Sequence, residues 1–336
     1  MQKCSYFVLA ALLCFITIIG SIPKNANAEP ILIRFSHVVG EKTPKGVGAQ
    51  MFKELVEERL AGKVVVEIYP RSLKFTDEQA LLGLLFGDVE MAAPSFTKFR
   101  KFSRKLQVFD LPFLFESVEE VHRFQQSKAG QELLVSMEDR GIKGLTYWDN
   151  GMRVISANTP ICQPADLKGL TFRIEPSYVF QKQYEMFGAI ATQIPFGQLP
   201  DALRVGIVDG YENAWSNVLS RKMHFLRRNF TEVDHSYLGY MVVTSVSFWS
   251  GLPDDIRMEL EEILAEVTEV VNKLAREKAQ SDRKTIVDTS DVTVITLDAE
   301  EREQWRQALL PLWKEFEKQI GPELLDAAKA SKSASK

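Results

Sequence analysis

Only three of the 336 residues are cysteine, at positions 4, 14 and 162, and only four are histidine, at 37, 122, 224 and 235. No Cys-x-x-Cys occurs and no two histidines sit at metal-ligand spacing, so neither a zinc site nor a dithiol redox centre is expected, and no cofactor is implied. His122 and His224 fall in helical, charged surroundings and read as surface residues. The chain also lacks a Gly-x-Ser-x-Gly elbow, a His-Glu-x-x-His helix and a Walker-type phosphate loop. Gly46-Val47-Gly48 misses the third glycine of a dinucleotide fingerprint and does not follow its strand directly. These absences lower the expectation of an enzyme without excluding one, because catalytic groups are defined in space.

No charge sign dominates. Lys and Arg number 41 and Asp and Glu 45, a formal net charge of −4, so there is no basic excess of the kind nucleic-acid binders carry. Hydrophobic residues make up 45% and charged residues 26%, which excludes a disordered, collagen-like or multi-span membrane chain.

One long apolar run exists, the 17 residues from Tyr6 to Ile22. Lys3 precedes it and Ala26-Asn27-Ala28 follows, the layout of a secretory signal peptide cut after Ala28. The rival is an uncleaved anchor, for which 17 residues is at the short edge. Cys14 follows Leu12-Leu13 rather than small residues, which argues against a lipoprotein. Removing 28 residues leaves 308, and loss of Lys3 and Lys24 takes the charge from −4 to −6. Cys162 then stands alone, so a large core rather than disulfides must hold the mature chain together.

Patterning within the mature chain alternates strands and helices. Ile31–Ser36 reads as a buried strand, and Thr43-Pro44 caps a helix that runs to about Leu60. Val64–Tyr69 is a β-branched strand, Asp77–Phe86 a helix stopped by Gly87, and 89–93 a short strand. This β-α-β-α-β start predicts an α/β sheet. Helices follow at 118–126 and 131–140, then strands at 142–148 and 152–157 about a turn at Asp149-Asn150-Gly151. A second β-α-β unit follows, with a strand at 170–174, a helix at 177–187, a short helix at 198–205, and a strand or loop at 208–213. Strands are read at 233–237 and 240–248, with Gly239 between them, and at 292–296. Residues 254–287 hold no Gly or Pro and carry one apolar stripe, so a helix of more than 30 residues should span more than one lobe. Residues 298–316 form a final helical region broken at Pro311, and 327–336 are a small, polar tail expected to fray.

The chemistry-bearing residues cluster in the middle. Arg173 lies within Leu170-Thr171-Phe172-Arg173-Ile174, and Arg153 follows Asn150-Gly151. An arginine flanked by Phe172 and Ile174 is costly to bury without an anion, and its planar fork matches a carboxylate. The alternatives are an edge strand with Arg173 in water, or a structural pair with Glu175 or Asp209.

Several segments together resemble one family. These are Phe35-Ser36-His37-Val38-Val39 with Thr43-Pro44-Lys45-Gly46, Asp110-Leu111-Pro112-Phe113-Leu114-Phe115, Asn150-Gly151-Met152-Arg153, Asp166-Leu167-Lys168-Gly169-Leu170 with Phe172-Arg173, Val208-Asp209-Gly210-Tyr211-Glu212-Asn213, and Leu238-Gly239-Tyr240-Met241. In this order they look like the extracytoplasmic solute-binding subunits of TRAP transporters, of the type that binds C4-dicarboxylates. The resemblance implies an α/β, two-lobed periplasmic binding protein fold with a long helix spanning both lobes. It places lobe I at 29–150 and 239–280 and lobe II at 151–238 and 281–336. It implies a periplasmic, monomeric protein that delivers an organic acid, such as malate, succinate or fumarate, to integral membrane subunits. Arg173 would form the main salt bridge to a ligand carboxylate, with Arg153 and Asn213 assisting. The family often has Pro after that Asn, where this chain has Ala214. Lys45, His37, Ser95 and Lys98 are candidates to face the cleft, and Phe196, Trp215 and Tyr237 to wall it. Lys98 opens a basic run to Lys105 that reads as a solvated face or docking patch. A secreted enzyme, a binder of another carboxylate and a ligand-presenting sensor module are the other readings.

Overall fold

The computed structural model describes residues 29–332. The expected signal peptide at 1–28 and the last four residues lie outside them. The chain begins as its pattern predicts, with β1 (Ile31–Ser36), α1 (Pro44–Arg59), β2 (Val64–Tyr69), α2 (Asp77–Phe86) and β3 (Met91–Ala92). Thr43 accepts a hydrogen bond from Gly46 N and sets the start of α1. Thr76 and Gln79 cap α2 reciprocally, and Gly87, at φ 75°, ends it. Two 3-10 segments, Phe96–Lys101 and Arg104–Asp110, lead to α3 (Val118–Gln126) and α4 (Lys128–Leu134).

The rest of the chain alternates between two sheets. It runs through β4 (Ile142–Met152), β5 (Val154–Ala157), β6 (Thr171–Ile174), α5 (Tyr178–Met186), β7 (Ile190–Gln193), α6 (Leu199–Arg204), β8 (Gly210–Asn213) and α7 (Trp215–Ser220). Then come β9 (Asn229–Glu232), β10 (Tyr237–Ser245), α8 (Val246–Gly251), α9 (Asp254–Thr289) and β11 (Thr293–Thr296). Helices α10 (Ala299–Leu309), α11 (Pro311–Ile320) and α12 (Pro322–Ala330) close the chain, with the expected break at Pro311. The first sheet has the order β2-β1-β3-β10-β4 and the second β11-β9-β5-β8-β6-β7.

Two connections carry the chain between the sheets near β4 and β10. Arg153 alone separates β4 from β5, and its N–H donates to Ser236 O, just before β10, at 2.9 Å. Helix α9, about 54 Å long at 1.5 Å per residue, ties the sheets together. Thr268 bonds Thr146 and Trp148 of the first sheet, and Arg283 pairs with Glu232 of the second. The apolar stripe read from the sequence is buried from Ile256 to Val271. Gly48 lets α1 approach α9, because a Cβ there would lie 2.3 Å from Val271 Cγ2. Among the described residues no helix is long and apolar enough to cross a membrane.

Several local expectations are corrected. Asp149-Asn150-Gly151 is not a turn but part of β4, where Leu238 pairs with Gly151 and Gly239 with Asp149. Asn150 is the extra residue of a β-bulge, and Gly151 supplies φ 144°. Gly239 lies inside β10 at that bulge rather than between two strands. The strand expected at 233–237 lies earlier, as β9, because Asp234 adopts φ 49° and breaks extended geometry. The strand expected at 240–248 stops at Ser245, whose hydroxyl accepts from Phe248 N and starts α8. The helix expected at 131–140 divides into α4 and a 3-10 turn at Glu138–Arg140. In the expected tail, α12 runs to Ala330, and Ser331 O accepts from Arg123 Nε. His122 and His224 are not simple surface residues, since His224 is buried and His122 Nε2 meets the buried Asp149 at 2.5 Å.

Candidate ligand-binding site

Strand β6 lies between β8 and β7, so Arg173 is not on an edge. Strand alternation sends Phe172 to the opposite face, where it stacks on Tyr184 with centroids 4.9 Å apart. Arg173 is fully buried at 0% exposure, and its Nε donates to Ile194 O at 2.9 Å. Its Nη1 and Nη2 have no hydrogen-bond partner. Burial pulls its pKa downward, although the group stays charged at any ordinary pH. Asp209 is not its partner, since that carboxylate accepts from Thr171 N. A buried fork with both ends open is matched to a carboxylate of its own size.

Arg153 is 1% exposed and follows the β4 bulge. Its Nη2 donates to Glu175 Oε2 at 2.7 Å, and its Nη1 stands 3.7 Å from Glu212 Oε1. Glu212 also meets His235 Nε2 at 3.0 Å and accepts from Tyr184 Oη at 3.1 Å. Glu175 reaches across to the first sheet's loops, accepting from Ser95 Oγ at 3.2 Å and pairing with Lys98 Nζ at 3.3 Å. Burial pushes the Glu175 pKa up, but Lys98, Arg153 and Arg173 outweigh it and hold the group well below the usual carboxylate range. Arg100 Nη1 donates to Pro176 O beside this bridge. The basic run thus differs from a wholly solvated face, because its first member, Lys98, is buried in an ion pair.

The third group comes from the start of α1. Lys45 is fully buried, donates to Ala93 O at 2.7 Å and lies 3.6 Å from the Tyr240 ring centroid. Burial lowers its pKa to about 8. His37 is buried with Nδ1 unpartnered, and burial followed by Lys45 lowers its pKa to about 3, so its ring is neutral. Tyr240 Oη accepts from Asn150 Nδ2 at 2.8 Å and from Asn217 Nδ2 at 3.1 Å. Asn217 Nδ2 also donates to Asn213 Oδ1 at 2.8 Å, and Ala214 N donates to the same oxygen. Ala214 has φ −81°, an angle proline tolerates, but its N–H makes a bond that proline lacks.

Electrostatic coupling joins these groups. Lys45 senses Glu175 and Lys98, Arg173 senses Glu175 and Arg153, and Asp77 and Asp110 feel the same cations. The aromatic candidates occupy hydrophobic clusters. Phe196 packs with Val38 and Leu199, Trp215 with Phe230, and Tyr237 with Phe96 while its hydroxyl donates to Asp149. Sequence reasoning left out Asn150, Tyr240, Asn217 and Glu212 as site members, and weighed Glu175 only as a partner of Arg173. The recognisable signals were the Asn-Gly of a bulge and Glu175 two residues beyond Arg173 on the same run.

The sequence profile of "Bacterial extracellular solute-binding protein, family 7" (DctP) matches residues 35–319. A relative named "C4-dicarboxylate-binding periplasmic protein DctP", from Shewanella loihica, is 45% identical over 91% of this chain and 91% of its own length. A TRAP periplasmic solute-binding protein from Shewanella oneidensis, solved with bound succinate, is 46% identical, with a TM-score of 0.89 over 90% of this chain and 99% of that one. A second, from Pseudomonas aeruginosa PAO1 with bound L-malate, is also 46% identical, with a TM-score of 0.83 over 85% of this chain and 100% of that one. The profile match over most of the chain, together with these identities, makes this protein a member of the DctP family of bacterial extracellular solute-binding proteins.

Proposed function

We propose that the protein is the periplasmic solute-binding subunit of a TRAP transporter and that it takes a C4-dicarboxylate between its two sheets. The observation that carries this reading is Arg173, buried with both terminal nitrogens unpartnered. A buried guanidinium whose terminal donors make no hydrogen bond is costly, and a ligand carboxylate relieves that cost. The 46% identical relatives with bound succinate and L-malate support a ligand of this size and charge.

In this reading one carboxylate docks on Arg173 with help from Asn213. Lys45, at the N-terminus of α1, takes the other end beside His37. The work done is binding and closure rather than bond chemistry. A ligand that contacts groups of both sheets binds the closed form better and shifts the population toward it. The lobes proposed are 29–150 with 239–280 and 151–238 with 281–336. Residues 1–28 are proposed as the signal peptide, and the mature monomer hands its ligand to the integral membrane subunits.

Calorimetric titration of the purified mature protein with succinate, L-malate and fumarate tests the assignment. Saturable binding of at least one is expected, with a matching rise in melting temperature. Failure of all three, alongside binding of a sugar acid or a monocarboxylate, overturns the C4 assignment.

A further inference from the structure

Four buried cations surround the candidate site, namely Lys45, Lys98, Arg153 and Arg173. Four buried carboxyls, Asp77, Asp110, Glu175 and Glu212, interact with them. Glu175 has a special position among these acids. Its Oε2 accepts from Arg153 of the second sheet's side, and its Oε1 meets Ser95 and Lys98 of the first. It therefore occupies, with a carboxylate of the chain's own, two cations that an incoming anion would otherwise meet. Arg173 makes no hydrogen bond to it and keeps both terminal nitrogens open.

Resting on the dicarboxylate reading above, we infer that Glu175 is a specificity-determining residue, a built-in carboxylate that engages Lys98 and Arg153 and so sets how much negative charge the ligand brings. With Glu175 in place, the open cationic positions are Arg173 and Lys45. A ligand bearing two carboxylates fills these, and any further anionic group meets the Glu175 charge. The same carboxylate weakens the advantage of a dianion over a monoanion of identical shape. Its three neighbouring cations keep Glu175 ionised despite burial, so this charge is present at neutral pH. A unit charge about 10 Å from a ligand carboxylate changes its affinity by roughly tenfold at an effective dielectric of about 20.

The test compares succinate with succinamate, its monoamide, which has nearly the same shape and one charge less. Both are titrated calorimetrically into wild type and Glu175→Gln. Closure and folding effects enter both titrations alike, so the ratio of the two affinities isolates charge. The preference for succinate over succinamate is expected to rise about tenfold or more in Glu175→Gln. An unchanged or reduced preference, with wild type binding succinate normally, overturns the role of Glu175 and leaves the dicarboxylate reading standing. Absence of succinate and other C4-diacid binding by wild type overturns that reading, and this inference with it. Glu175→Met, neutral and of similar length, gives the same readout if the amide variant does not fold.

Discussion

The ammonium of Lys45 stands 3.6 Å from the Tyr240 ring centroid and spends its one hydrogen bond on Ala93 O. That leaves it a buried cation facing a ring, with donors to spare and its pKa lowered by burial to about 8. The sign of the linkage follows. In the free protein the ammonium is lost as pH rises through about 8, and a bound carboxylate must restore it. Succinate affinity should be flat from pH 6 to about 8 and then fall by up to about tenfold per pH unit. Titrations in matched buffers check this. Lys45→Met should bind more weakly and show no such break, and a break of the same size in that variant would assign the proton elsewhere.

Arg173 couples binding to a stability cost. Its guanidinium is buried with both terminal nitrogens unpartnered, and the bond to Ile194 O and the attraction of Glu175 and Glu212 do not offset that burial. Arg173→Met should abolish measurable dicarboxylate binding, a loss on the order of 2–5 kcal/mol for truncating one partner of a buried, hydrogen-bonded charge pair. It should at the same time leave the protein, measured without ligand, equally or more stable, because burial costs the guanidinium more than its attraction to Glu175, Glu212 and Asp77 returns. Arg173→Lys should also weaken binding, since a point charge lacks the fork. A variant that loses stability but keeps its succinate affinity contradicts the assignment of Arg173 to the ligand.

Much of this fold could be read from local signals. Ile31–Ser36, Val64–Tyr69 and Asp77–Phe86 have the predicted bounds because capping residues and β-branched runs mark them directly. The start of α9 at Asp254 follows Pro253 for the same reason. The misread turn at Asn150-Gly151 is a place where a partner strand decides. Asn150-Gly151 carries turn chemistry, but pairing with β10 draws it into a bulge, and that bulge is what brings Asn150 to Tyr240. Arg173 was legible as a candidate for an anion because its neighbours in sequence are apolar. Glu175 was not legible as a bridge, because Ser95 and Lys98 lie about 80 residues away in sequence and only the fold joins them.

Asp110, one of the buried acids that interact with Arg153, offers a stability test that needs no ligand. It is buried and accepts from Ser177 Oγ at 2.7 Å, and burial raises its pKa to about 7. A carboxyl whose folded pKa lies above its unfolded value near 3.8 binds its proton more tightly in the native state. Its contribution to stability is therefore present at low pH and is lost as pH rises from about 4 through about 7. Asp110→Asn keeps an acceptor for Ser177 and carries no charge. Relative to wild type it should gain stability across that window, by up to about 4 kcal/mol. Urea denaturation at pH 4.5 and 7.5 checks it, and a stability difference independent of pH would show that Asp110 does not titrate there.

Gly210 shares β8 with Asn213, which the proposed function assigns to the ligand. It pairs with Phe172 of β6 on one side and Ala157 of β5 on the other. A Cβ at this position would lie 2.5 Å from Phe172 Cζ and 2.7 Å from Ser156 O. Phe172 cannot easily retreat, because it is buried and stacked on Tyr184. Gly210→Ala should therefore push β8 out of register with its neighbours and cost about 1–3 kcal/mol by overpacking. The displacement is carried to Asn213, three residues on in the same strand, so succinate affinity should fall as well. Phe172→Leu alone should destabilise, yet combined with Gly210→Ala it should restore part of the loss, giving a favourable coupling in a double-mutant cycle. Additive losses would mean that the ring does not set the limit at Gly210, leaving the Ser156 carbonyl of β5 as the barrier to a side chain there.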